Sequence, residues 1–302
     1  MDENIMRCIF ILIAAFVGLV GLLMNCLEPY LPVWLIRTYR YGKFSATENH
    51  FIVAKFEVPK KWFKHMYLFA APASIVTLFL VLYKYIFNGT LPEIILMALD
   101  TSLSTSRQAS VPAEAVILAT VLISIHCCKR LYESCYVSIF SNQKIHVSHY
   151  LLGPIHYTGV FVCIVGEAEG FVRGTHAHFS WDKLISGKLV CAFVLLLSSY
   201  MQFRTNIILR NLRKRENSDV VSYAHKVPFD GLYKYISAPL QFTEILVYLM
   251  LSVILWQAST FHYITIWVVA NQVMCAVLTH QWYRATFKNY PKERKALIPY
   301  IW

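Results

Sequence analysis

The chain alternates long apolar segments with shorter polar segments that are rich in Lys and Arg. A helix needs roughly 20 apolar residues to cross the hydrocarbon core of a bilayer. The apolar segment 94–99 is too short to span. Seven segments approach the required length, at residues 6–27, 66–86, 111–128, 147–166, 189–203, 242–258 and 264–283. We therefore expect an all-α integral membrane protein that folds as a seven-transmembrane helix bundle.

Composition agrees with a membrane protein and not with a soluble one. The 302 residues are 57% hydrophobic and 15% charged, whereas about a quarter of a soluble domain is charged. The first apolar segment has an acidic start and lacks a small-residue cleavage site, so we expect a retained helix and not a signal peptide. Without an internal repeat or a separable soluble part, residues 1–302 are predicted to form a single polytopic membrane domain.

The distribution of Lys and Arg predicts the orientation. Twenty-two of the 28 fall in residues 28–65, 129–146, 204–241 and the tail from Arg284, which are alternate loops of a seven-span chain. Cytosolic loops carry the excess of positive residues, so the N-terminus is predicted to be lumenal and the C-terminus cytosolic. The sequon at Asn88 then falls in a lumenal loop, where an acceptor site belongs.

Charge and cysteine content exclude several classes of function. The net charge of +11 is divided among short juxtamembrane loops. Such a distribution is explained by the orientation of the chain in the membrane and by contact with anionic lipid headgroups, and it gives no reason to expect a nucleic-acid partner. The eight cysteines form no CxxC pair or zinc spacing, so we expect packing residues and no metal. No nucleotide-binding motif of soluble proteins occurs, so any nucleotide site must be built from polar helix ends. Nothing indicates an obligate protein partner.

Three ionisable residues interrupt the apolar pattern at the end of the third predicted span, in HCCKRLYESCYVSIFS at residues 126–141. If the helix continues, Glu133 shares a face with Lys129 at i,i+4 and with Arg130 at i,i+3. One interpretation is a structural ion pair with snorkelling side chains. The other is a site for an anionic ligand, because ionisable residues at membrane depth are usually functional.

Further polar residues mark the cytosolic ends of the later spans. Arg210 and Arg213 are i,i+3 in LRNLRK, and Glu244 lies two residues inside an apolar segment, where it is suited to bind a ribose or an amide or to pair with an Arg. His280 and Tyr283 are i,i+3 near the end of the last span. The apolar ending ALIPYIW is expected to fold back onto the helices.

Four stretches together resemble the steroid 5α-reductase family: HCCKRLYESCYVSIFS, LRNLRK, GLYKYISAP…TE and HQWY…YPKERKALIPYIW. The YPxxRxALIPxx pattern is the most specific of them. Within the family, IRTYRYGK and FEVPKKWFKHMY look like the polyprenol reductase branch. The resemblance covers nearly the whole chain and is strongest over 126–302, which is expected to carry the cofactor site.

The resemblance implies a seven-helix enzyme of the endoplasmic reticulum membrane that uses NADPH to reduce a carbon–carbon double bond conjugated to a carbonyl. In this branch the substrate is a long-chain isoprenoid lipid: the α-isoprene double bond of polyprenal or polyprenol is reduced in the dolichol pathway, which supports protein N-glycosylation. By matched position it also implies His280 as a cofactor contact or proton relay. The implied cofactor-binding residues are Arg130, Asn206, Arg213, Tyr235, Glu244 and Tyr283.

This sequence departs from the family pattern at two places. Steroid-reducing members hold the steroid ketone with a Glu after the Trp-Phe of the second span and a Tyr in the third. Here the second span begins WFKHMY and the third offers Cys127, so steroid activity is not expected and His65 or Tyr67 is the candidate replacement acid. The family often has an Asn where this chain has the run SAPLQF, in which Gln241 is the candidate substitute.

Hydride addition to an alkene needs an acceptor for the developing negative charge, and a conjugated carbonyl provides one. A hydrogen-bond donor at that oxygen, His65, Tyr67 or His280, would act as general acid. An allylic alcohol offers no such acceptor, so polyprenal is expected to be the direct substrate. The alternatives are a steroid 5α-reductase or enoyl-CoA reductase and, outside this class, a membrane methyltransferase or a seven-helix receptor.

Overall fold

The computed structural model describes residues 3–40, 51–177, 179–184, 186–214 and 224–302. The basic loops 28–65 and 204–241 each include residues outside these ranges. The α-helices among the described residues are α1 (Ile5–Cys26), α2 (Val33–Tyr39), α3 (Phe51–Lys55), α4 (Lys64–Tyr85), α5 (Glu93–Leu103), α6 (Ala113–Tyr132), α7 (Val147–Gly166), α8 (Ser186–Asn211), α9 (Pro239–Ile254) and α10 (Phe261–Thr286). A π-helical turn, Glu133–Val137, continues α6.

Six helical segments in the described part of the chain are long and apolar enough to cross a membrane. They contain α1, α4, α6, α7, α8 and α10, and they correspond to six of the seven predicted spans. The remaining predicted span, 242–258, forms the 16-residue helix α9, which is shorter than the others. As expected, α5 is also too short to span, with 11 residues.

Polar side chains fix where α1 and α10 begin. The side chain of Asn4 accepts a hydrogen bond from the backbone N–H of Arg7 and caps α1. The buried carboxylate of Glu167 accepts hydrogen bonds from the backbone N–H groups of Ser259 and Thr260, immediately before α10. A carboxylate at that place satisfies donors that the helix leaves unpaired and complements its dipole.

Helix packing is close where glycine faces a large side chain. A Cβ on Gly159 of α7 would overlap the ring of Phe10, and one on Gly166 would overlap Leu103. Small residues let helices in a membrane approach closely, and packing is the main force that holds such helices together. One core cluster of buried residues takes members from α1, α4, α6, α7, α9 and α10, so these helices form one packed body.

Three short extended pairings among the described residues lie outside the all-α prediction, and one of them is the bridge between Val111 and Ala168. Strands β1 (Glu57–Pro59) and β2 (Lys144–His146) pair antiparallel, with Glu57 opposite His146. Each strand has only three residues, so neither has enough alternation to be recognised in the sequence. A further bridge joins Ile236 to Lys295. In the apolar ending that follows, Leu297 is buried and packs with Ala276 of α10, which confirms that the ending folds back onto the helices.

Candidate active site

Three connected spaces lie among the helices, and each has a different chemical character. The polar cavity, of about 430 Å³, is lined among others by Tyr67, Arg130, His156, Tyr157, Gln202 and Glu244. The basic cavity, of about 350 Å³, is lined among others by Lys60, Asn206, Arg210, Arg213, Lys226 and Tyr283. The apolar groove, of about 500 Å³, is lined among others by Leu12, Phe16, Leu35, Leu151, Ile155 and Met274.

The polar cavity borders both of the other two, and Cys275 lines all three. It shares Lys60, Leu240 and Gln241 with the basic cavity, and it shares Leu152 and Asn271 with the apolar groove. A charged ligand that occupies the basic cavity and an apolar chain that occupies the groove can therefore both reach the polar cavity. Gln241, the predicted substitute for the family Asn, lines both polar spaces.

Tyr67 and Arg130 form the central contact of the polar cavity. The Nε and Nη2 groups of Arg130 donate to the Tyr67 hydroxyl oxygen at 3.0 and 2.7 Å, and the guanidinium lies 4.8 Å from the centre of the ring. A guanidinium only donates hydrogen bonds, so the phenol oxygen is the acceptor in both. The phenol's own proton is therefore left to donate to another group.

Behind this contact lies the ion-pair cluster that was predicted at the end of the third span, which is α6 in the structure. Arg130 pairs with Glu133, which is 1% exposed, and Lys129 lies 3.5 Å from the same carboxylate. The prediction that these three residues share a helical face is confirmed. Because a buried charge is costly unless it is paired, the structural interpretation holds for Glu133, while Arg130 also contacts Tyr67.

A second chain of polar groups fixes Glu244. Lys129 donates to the Gln202 side-chain oxygen at 2.6 Å, and the Gln202 side-chain nitrogen donates to Glu244 at 2.5 Å. His126 lies 3.9 Å from the same carboxylate. Glu244 is thus held at the wall of the polar cavity by the side-chain amide of Gln202, and the ammonium group of Lys129 sets the orientation of that amide.

The basic cavity has buried donors that point to an anionic ligand. Within the described residues, the side-chain nitrogen of Asn206 and Nε of Arg210 are buried without a hydrogen-bond partner. Burying a polar group without a partner is unfavourable. Arg213 donates to the carbonyl of Ile139 and also lines the cavity. Burial raises the pKa of Tyr233, another lining residue, well above its usual value, so its phenol stays protonated and able to donate.

Three predicted site residues lie away from the described cavity walls. His280 bonds to Ser237, a lining residue of the basic cavity, at 2.7 Å, so it lies one side chain behind the wall. Tyr235 is 42% exposed and packs on Tyr300. His65 packs on Trp62 outside the polar cavity. The other predicted residues line one of the two polar spaces.

Several lining residues were not predicted from the sequence. His156 and Gln202 are polar residues inside apolar spans, and such residues are often functional, so this signal was present. Lys60 was also not predicted, and it lies before residue 126. Together with the predicted Tyr67 it shows that the two polar spaces are not built from 126–302 alone. No group of three or more His, Cys, Asp or Glu side chains in the described ranges could hold a metal ion.

Comparison with known proteins gives the family. A family model described as 3-oxo-5-alpha-steroid 4-dehydrogenase matches residues 149–302. The chain is 34% identical to "Polyprenal reductase" of Drosophila melanogaster over 99% of this chain and 93% of that protein. It is 32% identical to the Caenorhabditis elegans protein of that name, over 94% of each chain. The chain belongs to the steroid 5α-reductase family.

A human relative extends the same result. "Polyprenal reductase" of Homo sapiens is 30% identical over 99% of this chain and 96% of that protein. The family membership predicted from the sequence is confirmed, and the chain is an oxidoreductase. This excludes the methyltransferase and receptor alternatives.

Proposed function

We propose that this protein reduces the α-isoprene double bond of polyprenal with NADPH, in the dolichol pathway that supports protein N-glycosylation. The observation that carries the proposal is the Tyr67 hydroxyl, held by Arg130 in a polar cavity that borders a basic cavity and an apolar groove. These spaces suit a carbonyl, a phosphorylated dinucleotide and an isoprenoid chain. Relatives in three animals, matched over 93%, 94% and 96% of their length, carry the name of this activity.

The residues of the basic cavity fit a phosphorylated dinucleotide. Lys60, Arg210, Arg213 and Lys226 give it positive charge, and arginine is well suited to phosphate because its N–H groups form a fixed fork. The partnerless donors of Asn206 and Arg210 would gain acceptors there. Arg213 is the proposed contact for the 2′-phosphate, and Glu244 faces the polar cavity, where a carboxamide or ribose would lie.

His280 takes a supporting role in this arrangement. Its hydrogen bond to Ser237 places it behind the wall, so we assign it to orient Ser237 and to pass a proton only through that hydroxyl. Tyr283 lines the basic cavity and stacks on Tyr290 at 5.2 Å between ring centres. It offers a flat surface to the cofactor.

When bound, NADPH supplies a hydride for the β-carbon of the enal and becomes NADP⁺. The electron pair of the carbon–carbon double bond moves towards the carbonyl oxygen, and a solvent proton then completes the α-carbon. Tyr67 donates a hydrogen bond to that oxygen, where negative charge develops. Arg130 keeps the Tyr67 proton directed away from itself. An allylic alcohol has no oxygen that can take this charge, so polyprenal and not polyprenol is the substrate.

The apolar groove is the proposed place for the isoprenoid chain. It lies between α1, α2, α7 and α10, and most of its lining side chains are apolar, with Thr38, Ser148, His149 and Asn271 among the exceptions. Leu12 and Phe16, which line it from α1, are 68% and 58% exposed, as expected for side chains that contact lipid. A lipid aldehyde can therefore reach the polar cavity from the bilayer with its chain remaining in apolar surroundings.

We also propose the orientation and location. The protein would lie in the endoplasmic reticulum membrane, with helix α9 as a seventh span and the N-terminus in the lumen. The basic cavity would open to the cytosolic side of that membrane. Support comes from the basic loops and from the lining of the basic cavity by Lys60, Arg213 and Lys226. NADPH would then approach from the cytosol.

Purified protein in detergent tests the function directly. Polyprenal, polyprenol and a 3-oxo-4-ene steroid are offered separately with NADPH, and saturated product is scored by mass spectrometry. We expect turnover of polyprenal alone. Reduction of polyprenol without an oxidising partner would contradict the role of the carbonyl, and reduction of the steroid would show that the family Glu and Tyr are not needed.

A further inference from the structure

The apolar groove extends over only a short distance along the helices that form it. Its lining runs from Ser148 to Ile155 on α7 and from Asn271 to Leu278 on α10, seven residue steps in each case. Seven steps of an α-helix cover about 10 Å. The groove volume of about 500 Å³ is that of a pocket that encloses one drug-sized molecule. The groove is therefore much too short to hold the whole of a long isoprenoid chain.

The length of the groove matches two isoprene units. An extended chain gains roughly 1.2 Å per main-chain bond, so the four main-chain bonds of one isoprene unit cover about 5 Å. The unit that carries the aldehyde would lie beside Tyr67 and Arg130 in the polar cavity, which borders the groove at Leu152 and Asn271. The polar cavity and the groove together therefore accommodate three units, counted from the aldehyde.

The open side of the groove indicates where the remaining units lie. Three of its lining side chains, Leu12, Phe16 and Leu151, are 68%, 58% and 51% exposed. They belong to α1 and α7, which are long and apolar enough to cross a membrane, so a chain that leaves the groove past them enters lipid. Lipid tails are as apolar as these side chains. Units beyond the third therefore gain no more from the protein than from the bilayer.

We propose that the protein recognises only the first three isoprene units of its substrate, and that it therefore also reduces free isoprenoid enals of three units, such as farnesal. Hydride from NADPH goes to the β-carbon and a solvent proton goes to the α-carbon, which gives the saturated aldehyde and NADP⁺. This second substrate class depends on the function proposed above, because both substrates would react at the same place.

A series of enals of increasing length tests the proposal. Wild-type protein is given NADPH and enals of two, three and four isoprene units or polyprenal, each with the same geometry at the α-double bond and the same mole fraction in detergent micelles. Saturated product is measured by mass spectrometry. We expect kcat/KM to be about tenfold lower for the two-unit enal, which leaves part of the groove unfilled. From three units upward, kcat/KM should stay within about twofold, because detergent tails are as apolar as the groove.

Two variants of α1 test the place of the second and third units. Leu12→Trp puts a larger side chain at the groove. Leu19→Trp is the matched control, because Leu19 lies on the same helix, is 59% exposed and is outside the groove lining. We expect Leu12→Trp to raise the KM for farnesal and for polyprenal by the same factor. The short-chain enal 3-methylbut-2-enal, which has a single isoprene unit and needs only the polar cavity, should be reduced as before, and Leu19→Trp should change none of the three.

The outcomes separate this substrate class from the function itself. If wild-type protein reduces neither polyprenal nor farnesal, the proposed function is wrong. If it reduces polyprenal but kcat/KM for farnesal is lower by about tenfold or more, the function stands and the limit of three units is wrong. An increase in the KM for polyprenal in Leu12→Trp without an equal increase for farnesal would also overturn the proposal, and so would an unchanged KM for both.

Discussion

Arg130 contacts two partners that serve different purposes. Through Nη1 it pairs with the buried Glu133, and through Nε and Nη2 it holds the Tyr67 hydroxyl. The helical spacing of Arg130 and Glu133 is visible in the sequence. The contact with Tyr67 is not, because 63 residues separate the two and only the packing of α4 against α6 brings them together. The ion pair of Arg130 with Glu133 could therefore be predicted from the sequence, but the contact of Arg130 with the Tyr67 hydroxyl could not.

The two purposes of Arg130 can be separated by substitution. Arg130→Met should lower the free energy of unfolding by about 3–5 kcal/mol, because it leaves a buried carboxylate with a weaker partner, and it should also lower kcat. Adding Glu133→Gln removes the buried negative charge and should restore much of the stability but not kcat. Thermal unfolding and turnover of polyprenal measure the two effects. Recovery of kcat in the double variant would show that Tyr67 does not need Arg130.

Arg213 gives a prediction on cofactor choice. Arg213→Ala should raise the KM for NADPH more than the KM for NADH, because only NADPH carries the 2′-phosphate that the guanidinium would bind. The control is Lys234→Ala, which removes an exposed positive charge outside the described cavity walls. Steady-state kinetics with both cofactors measure the effect. Equal changes for NADPH and NADH would argue against a 2′-phosphate contact.

At the scale of elements, the apolar pattern located the long helices but not their ends. The predicted segment 189–203 forms the longer helix Ser186–Asn211, because polar residues beyond position 203, such as Asn206 and Arg210, continue the helix and line the basic cavity. A hydropathy pattern registers them as the end of a span. Of the polar residues of α8 that line the cavities, Asn206 and Arg210 were named from the sequence and Gln202 was not.

Helix α7 supplies a test of the apolar groove. Ile155→Trp places a larger side chain in the groove and should raise the KM for long-chain polyprenal, because the isoprenoid chain loses space. A short-chain enal should be reduced almost as before. Leu197→Trp on α8 is the control, since Leu197 is 45% exposed, close to the 44% of Ile155, and lies outside the groove. An equal effect of Ile155→Trp on both substrates would contradict the proposed place of the chain.

At the scale of the whole molecule, the proposed orientation assigns the basic cavity to the cytosol. Asn88, between α4 and α5, should then be glycosylated when the protein is expressed in cells, and Asn88→Gln should abolish the mobility shift that a glycosidase removes. A sequon introduced at Lys234, on the basic side, should stay unmodified. Glycosylation at 234 without glycosylation at Asn88 would reverse the orientation and place the proposed NADPH site in the lumen.

Family and enzyme class were within reach of the sequence because the terminal YPKERKALIPYIW stretch is specific and continuous. The edge-to-face contact of Tyr157 with Tyr67 was not, because the two residues lie on different helices, α7 and α4. Side chains from α4, α7, α9 and α10 meet only after the bundle has packed. Helix periodicity constrains each face separately and says nothing about which faces converge.

Conjugate addition of hydride to an aldehyde is the central claim, and the fate of the hydride tests it most directly. Wild-type protein is given polyprenal and NADPH that carries deuterium at both C4 positions, and the product is analysed by mass spectrometry with fragmentation. We predict one deuterium at the β-carbon of a saturated aldehyde. Deuterium at the carbonyl carbon, with the double bond intact, would mean that the protein reduces the aldehyde to the alcohol and would contradict the account.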